Sequence, residues 1–415
     1  MREVFIIGSS STVFGKRTDT THQVLAAEVF DGVLSDVSMT DGAEITSIWF
    51  SNFGMHQFGQ GGIRGQVCLT QQINSGALRR NTPIMNIENG CASGSSAFAG
   101  ACKDVRSGDS DMALVIGLEK LHHADPTVNR FHVLEGGIDQ LDRSIWQTYF
   151  GAAGKRIGKA FETSPDRSMF MDTYGMQAAW HMQKYGTTRQ QLAIAAAKTH
   201  NFGADNPRAQ YRFHMTPQQV LEDRMVSDPL TRAMCSPIGD GAAALLICSG
   251  EYLLTCPPAV QERAVKVKGY GVTSGRYRDF DEPGLTAEAA RRAYAMAGVG
   301  PEDIDLVEVH DASTFCEIFQ AEMLGFCPIG QGGRLHESGE TGLGGRIPMN
   351  TSGGLVSKGH PIGATGVSML TELVEQLRGE AGPRQVKGAR LALAESGGGI
   401  MGFDEACCVV TVLER

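Results

Sequence analysis

Apolar and polar positions along the chain switch between a period of two and a period near 3.6, and the switches lay out strands and helices in turn. Val4 to Ile7 reads as a first strand, His22 to Leu34 as an amphipathic helix and Ile45 to Phe50 as a second strand. Met112-Ala-Leu-Val-Ile-Gly117 is apolar at nearly every position. That is the pattern of a strand covered on both faces, so an α/β fold with layered helices is expected. From Leu121 to Asp223 the pattern changes: Met, Gln, His and aromatic residues become frequent, Met176 to Lys184 and Arg189 to His200 read as helices, and no run reads as a strand. This stretch is expected to be an insertion that covers a site. Strand signals resume at Met225 to Asp228 and in Gly239-Asp-Gly-Ala-Ala-Ala-Leu-Leu-Ile-Cys248.

The two ends of the chain repeat one order of elements. Residues 86 to 119 run from a turn through a small-residue helix and Arg106-Ser-Gly to an apolar strand. Residues 350 to 399 run from a Gly/Ser turn through the helix Val367 to Leu377 and Arg378-Gly to the strand Arg390 to Ala394. Chance likeness between α/β units is the plain alternative. A duplicated β-α-β unit would set both turns at one crevice, where such sheets bind ligands.

Composition narrows the function. The 415 residues exceed what one core usually serves, so two or three domains are expected. Apolar content of 42% with 20% charged residues is that of a soluble globular protein, and 52 glycines mark tight turns and close backbone approaches. A net charge of -9 without Lys/Arg runs argues against nucleic acid or an anionic membrane as partner. Ten cysteines lie scattered without C-x-x-C spacing, which fits a reduced, cytoplasmic chain carrying no metal site of its own. The opening Met1-Arg-Glu-Val-Phe-Ile-Ile-Gly8 is too short for the apolar part of a signal peptide or a membrane span.

Three turns carry the candidate chemistry. Cys91, in Asn86-Ile-Glu-Asn-Gly-Cys-Ala-Ser-Gly-Ser-Ser-Ala97, falls between a strand signal and a helix signal. Helix N-H groups and the positive end of the macrodipole are then expected to favour its thiolate. A buried packing cysteine is the alternative. His310 falls at a strand end in Val307-Glu-Val-His-Asp-Ala-Ser-Thr-Phe315. His360 stands between glycine and proline in Gly359-His-Pro-Ile-Gly-Ala-Thr-Gly366, with Pro361 expected at the first helical position. A cysteine nucleophile needs an imidazole to take its proton, and a reacting thioester needs donors for its oxyanion.

At these residues the chain resembles the thiolase family. Asn89-Gly-Cys-Ala-Ser-Gly-Ser, Asp240-Gly-Ala-Ala-Ala, His310-Asp-Ala-Ser, Asn350-Thr-Ser-Gly-Gly-Leu-Val-Ser-Lys-Gly-His-Pro-Ile-Gly-Ala-Thr-Gly and Gly397-Gly-Gly stand in family order over nearly the whole chain. The resemblance implies a duplicated five-layer α/β/α/β/α thiolase fold. Its N-terminal half would be 1–120 completed by 224–252, its inserted loop domain 121–223 and its C-terminal half 253–415. It also implies a homodimer that transfers acyl groups on coenzyme A thioesters, with coenzyme A as co-substrate and no permanently bound cofactor. Cys91 would be the acylated nucleophile, His360 its activating imidazole and His310 a group that polarises the thioester oxygen. The backbone N-H groups of Cys91 and Gly397 would form an oxyanion hole.

The departures are as informative. Many thiolases carry a second cysteine just before the terminal glycine triplet, where this chain has Glu395 and Ser396. The sterol-carrier-protein type takes that cysteine from a His-Asp-Cys-Phe motif, and here the position is Ala312. The acid/base thiol is therefore missing, and Glu395 is the first candidate to replace it, because a desolvated carboxylate titrates nearer neutrality. A solvated turn residue is the alternative reading of Glu395, and Cys316 is a weaker candidate, more in keeping with packing. The chain is most similar to bacterial and archaeal sterol-carrier-type thiolases, the group that includes benzoylsuccinyl-coenzyme A thiolases. That likeness implies a separately encoded small subunit with a zinc ribbon and an OB-fold. The expected reaction is cleavage of a 3-oxoacyl-coenzyme A by free coenzyme A. Claisen condensation, aldolase-like cleavage and a non-catalytic lipid-binding subunit are the alternatives.

Overall fold

The computed structural model describes residues 2–125, 127–129 and 131–415; Met1, Pro126 and Arg130 lie outside the described residues. In chain order the elements that position the site are β1 (Val4–Ser11), α1 (His22–Asp36), β2 (Ser47–Ser51), β3 (Ile84–Ile87), α2 (Ser93–Ser107) and β4 (Met112–Glu119). Then come α3 (Arg143–Ile157), α4 (Met169–Tyr185), α5 (Arg189–Ala204), β5 (Gly241–Ser249), β6 (Val265–Ser274) and α6 (Leu285–Ala297). The chain closes with β7 (Leu306–Glu308), α7 (Thr314–Met323), α8 (Ile362–Arg378), β8 (Leu391–Gly398) and β9 (Cys407–Glu414).

One nine-stranded mixed sheet runs β3-β2-β4-β5-β1-β6-β9-β8-β7. Its halves meet where β1 and β6 pair, Phe5 opposite Lys266 and Ile6 opposite Val265. Read outward from that seam, each half has the same order: β1-β5-β4-β2-β3 on one side and β6-β9-β8-β7 on the other. The place matching β3 in the second half is held by a single parallel bridge between Val307 and Met349. The repeat seen between residues 86–119 and 350–399 is thus a repeat of topology. Helices α2 and α8 share one apolar cluster with strands of both halves, so they form a central layer. The outer face of the first half packs on α1, and that of the second half on α6 and α7, completing five layers. Nearly every side chain of α8 is buried, Glu372, Gln376 and Arg378 included, which follows from its place in the central layer rather than from an apolar sequence.

Residues between β4 and β5 build α3, α4 and α5 over a second cluster rich in aromatic and Met side chains. Ser168 and Thr188 cap α4 and α5 with their hydroxyls, so α4 starts two turns before the periodic run at Met176. Met225–Ser227 does not return to the large sheet as a regular α/β strand. It pairs with Leu230–Thr231 in a separate two-stranded ribbon. Among the described residues, no helix is long and apolar enough to cross a membrane.

Candidate active site

The turn after β3 delivers Cys91. Gly90 has φ of +56°, and a Cβ there would stand 2.7 Å from the Gly399 nitrogen, so only glycine suits both the turn and the approach of the terminal glycine loop. The matching turn before α8 delivers His360. Pro361 is the cap rather than the first helical residue: its backbone is extended, and its carbonyl accepts the N-H groups of Ala364 and Thr365. The two turns meet because α2 and α8 approach closely at Gly94, where a Cβ would lie 2.9 Å from the Val367 nitrogen.

A buried carboxylate clamps this junction. Glu119, at the end of β4, accepts the N-H groups of Phe53 (2.9 Å), Gly54 (3.0 Å) and Gly363 (3.1 Å) and the amide of Asn52 (2.9 Å). Burial still pushes its carboxyl up to about 7. Its only sequence signal is a glutamate ending an apolar strand. Asp240 plays a similar part nearby, accepting N-H groups of Arg17, Leu121 and His122.

His360 Nε2 lies 3.2 Å from Cys91 Sγ, and its Nδ1 lies 2.8 Å from Thr365 Oγ1. The Thr365 hydroxyl gives its one hydrogen to the Pro361 carbonyl at 3.1 Å. In that arrangement it accepts from Nδ1-H, which leaves the Nε2 lone pair facing the thiol, the tautomer a base requires; the hydrogen positions are assigned from this network. His310 completes the group: Cys91, His310 and His360 each place a sulfur or ring nitrogen within 4.8 Å of the others, and the two rings meet edge to face at 5.2 Å. His310 Nε2 is buried and has no hydrogen-bond partner among the described residues.

All three groups are neutral at rest. Burial pushes the Cys91 thiol up to about 12, outweighing the Gly399 and Cys91 N-H groups that favour the thiolate, while the charges of Glu119 and Glu88 add to the rise. Burial, then the neighbouring His310, drives His360 well below its ordinary range, and burial brings His310 to about 4. The thiolate expected from the helix entrance does not form unaided, because desolvation exceeds the pull of the dipole. The pair opens on a cavity of about 690 Å³ that Ala312, Phe170, Met171 and Tyr174 also line, and that extends to the exposed Arg224.

Two predicted residues are placed elsewhere. Glu395 faces away from the sulfur: alternate residues of β8 point to opposite layers, Ala392 and Ala394 inward and Leu393 outward. Its carboxylate accepts the His310 N-H at 3.0 Å and approaches Cys408 Sγ at 3.6 Å. Burial raises it to about 7, so the expected shift occurs without the expected position. Gly397 lies within β8, paired with Cys408, and the loop N-H that reaches Cys91 belongs to Gly399. Cys316 is buried beside the Ser313 hydroxyl at 3.3 Å, in the apolar cluster under the insertion.

A model of the thiolase N-terminal domain matches residues 4–251, and a model of the thiolase C-terminal-domain-like family matches residues 275–413. The chain belongs to the thiolase family. An acetyl-CoA acetyltransferase of Methanothermobacter thermautotrophicus is 36% identical over 97% of this chain and 98% of its own length. The benzoylsuccinyl-CoA thiolase subunit BbsB of Thauera aromatica is 30% identical over 96% of this chain and 95% of its own. Among solved structures, an Ltp2-ChsH2(DUF35) aldolase superposes with a TM-score of 0.77 at 20% identity, covering 100% of this chain and 98% of that one, a likeness of fold. This thiolase-family chain is an acyltransferase, in the branch its motifs indicate.

Proposed function

We propose that the protein is a 3-oxoacyl-coenzyme A thiolase working through an acyl-enzyme on Cys91. The observation that carries this reading is the 3.2 Å contact between Cys91 Sγ and His360 Nε2, at the wall of the cavity. Cys91 gives its proton to His360 Nε2 as the sulfur attacks the 3-oxo carbon. The C2–C3 bond breaks, the departing acyl-coenzyme A carbon takes a proton, and the rest of the acyl chain stays on sulfur. Coenzyme A then attacks this thioester, its thiol proton leaves, and Cys91 recovers its own from His360. His310, its Nε2 unpartnered, polarises the thioester oxygen of the substrate. The N-H groups of Cys91 and Gly399 hold the oxyanion in the acyl-enzyme steps. Glu395 acts as a positioning residue that fixes the backbone of His310. Coenzyme A serves as co-substrate, and no permanent cofactor takes part.

The 121–223 insertion supplies much of the acyl pocket and the two sheet halves supply the chemistry, in a homodimer of the cytoplasm. A small zinc-ribbon and OB-fold subunit is part of the proposal, supported by a relative named as a subunit and by a fold neighbour bearing a DUF35 component. Cys91→Ser should bind substrate yet give no acyl-enzyme by mass spectrometry; near-normal turnover in that variant would remove the assignment. Full activity of a homodimer purified without a second polypeptide would remove the small subunit.

A further inference from the structure

Both usual sources of the acid/base thiol are absent, and Glu395 points into another layer, so a proton donor for the departing carbon has still to be found on the cavity wall. Its polar groups are mostly engaged elsewhere. His122 Nδ1 is 3.1 Å from Asp240 Oδ1 and the Cys235 thiol points to the Thr231 carbonyl at 3.3 Å; His200 Nε2 gives its hydrogen to the Ala233 carbonyl at 3.0 Å, so its unpartnered Nδ1 holds a lone pair and no proton to donate. Tyr174 differs. It stands on α4, is 4% exposed, and lines the same cavity as Cys91 and Ala312. It belongs to the apolar cluster that contains Ala312, Phe315 and Cys316, and its hydroxyl has no hydrogen-bond partner among the described residues. A buried phenol usually finds a partner. This one stands on the wall of the cavity that holds Cys91, where a substrate can reach it.

We propose that Tyr174 replaces the missing thiol, giving its phenolic proton to the departing carbon and later taking the thiol proton of coenzyme A. This rests on the thiolase reading of Cys91. The protons balance: C2–C3 cleavage leaves a carbanion that takes the Tyr174 proton, so the shortened acyl-coenzyme A leaves and a tyrosinate remains. The tyrosinate removes the coenzyme A proton, the coenzyme A sulfur attacks the acyl-enzyme, and both Tyr174 and Cys91 return to their starting forms. Burial first, then Cys316 and Cys91 whenever either thiol ionises, pushes the phenol well above its ordinary range. It therefore waits protonated, and once ionised it is a strong base toward a thiol. The same coupling ties its electrostatics to the nucleophile.

The test is Tyr174→Phe, which keeps the ring and its packing. Acid/base loss should lower kcat for thiolysis about 100-fold or more with little change in KM. Enzyme-catalysed deuterium uptake from D2O at C2 of acetyl-coenzyme A should fall in parallel. Mass spectrometry should still find acyl groups on Cys91 after long mixing with an acyl-coenzyme A, formed more slowly than in the native protein, because a departing thiolate can leave without an acid whereas a carbanion cannot. Tyr174→Phe combined with Ala312→Cys, which puts a thiol at the cavity wall, should regain at least about tenfold of the lost rate, a rescue that a packing role would not produce. The proposal is overturned if Tyr174→Phe turns over within about threefold of the native rate, or exchanges deuterium at the native rate. An unacylated Cys91 in the native protein would instead defeat the thiolase reading, and this inference with it.

Discussion

At the scale of single residues the site is a neutral pair waiting for a proton transfer. A thiol pushed up to about 12 and an imidazole held well below its ordinary range do not exchange a proton at rest. Substrate must bring the oxyanion and the N-H donors together before the thiolate is worth forming. Iodoacetamide should therefore alkylate Cys91 slowly at pH 7 in the free enzyme, with a rate that climbs about tenfold per pH unit up to pH 9, because only the thiolate reacts. A rate that levels off below pH 8 would mean that thiolate is already present. Thr365 sets the tautomer, so Thr365→Val, which keeps the shape and deletes the hydroxyl, should free Nδ1 and let the ring turn or change tautomer. A loss of about 10- to 100-fold in kcat, with KM nearly unchanged, is expected from steady-state rates. An unchanged kcat would show that Thr365 does not orient His360.

Elements bring these residues together through close contacts, and that explains which parts of the site were legible in the sequence. Cys91 and His360 were found because each lies at a strand-to-helix turn with glycines around it, a local signal. His310 was found because a short polar run follows an apolar strand. Glu395, the candidate acid/base, is buried and its carboxyl raised, but it faces away from the sulfur: β8 is apolar on both faces, so alternation does not reveal which face a given residue takes. Gly397 came from the thiolase resemblance alone, and β8 keeps pairing with β9 through Gly398, so the loop N-H beside Cys91 is that of Gly399. Helix α3 gave little periodic signal, and β7 has only three residues in its ladder, so tertiary contact rather than propensity defines both. The Gly94 contact offers a test at this scale. Gly94→Val puts branched carbon against the Val367 backbone, and overpacking of this kind costs about 1–3 kcal/mol. Chemical unfolding should show a loss of that size, accompanied by lower turnover as the two turns are pushed apart. A variant with native stability would mean that α2 and α8 have slack.

Across the whole molecule the duplication extends to two buried carboxylates. Glu119 on β4 accepts N-H groups from the loop after β2, and Glu395 on β8 accepts one from the loop after β7, so matching strands carry matching clamps. Both carboxyls are fully buried, and burial raises each from 4.5 to about 7. The direction of the linkage follows. Between about pH 4.5 and pH 7 the folded protein holds protons on these groups that the unfolded chain has already released, so stability falls as pH rises and then levels off. Each group contributes at most about 3 kcal/mol of that fall at 1.36 kcal/mol per pKa unit. Glu119→Gln carries no ionisable group at the clamp and should lose its share of the slope, even though an amide replaces one acceptor by a donor and lowers stability at every pH. Urea unfolding of both proteins at pH 5 and pH 7.5 separates these effects: the difference between native and variant protein should be larger at pH 5 than at pH 7.5. If that difference is the same at both pH values, Glu119 is ionised throughout, and the junction between the cysteine turn and the histidine turn is held by a charge rather than by a protonated acid.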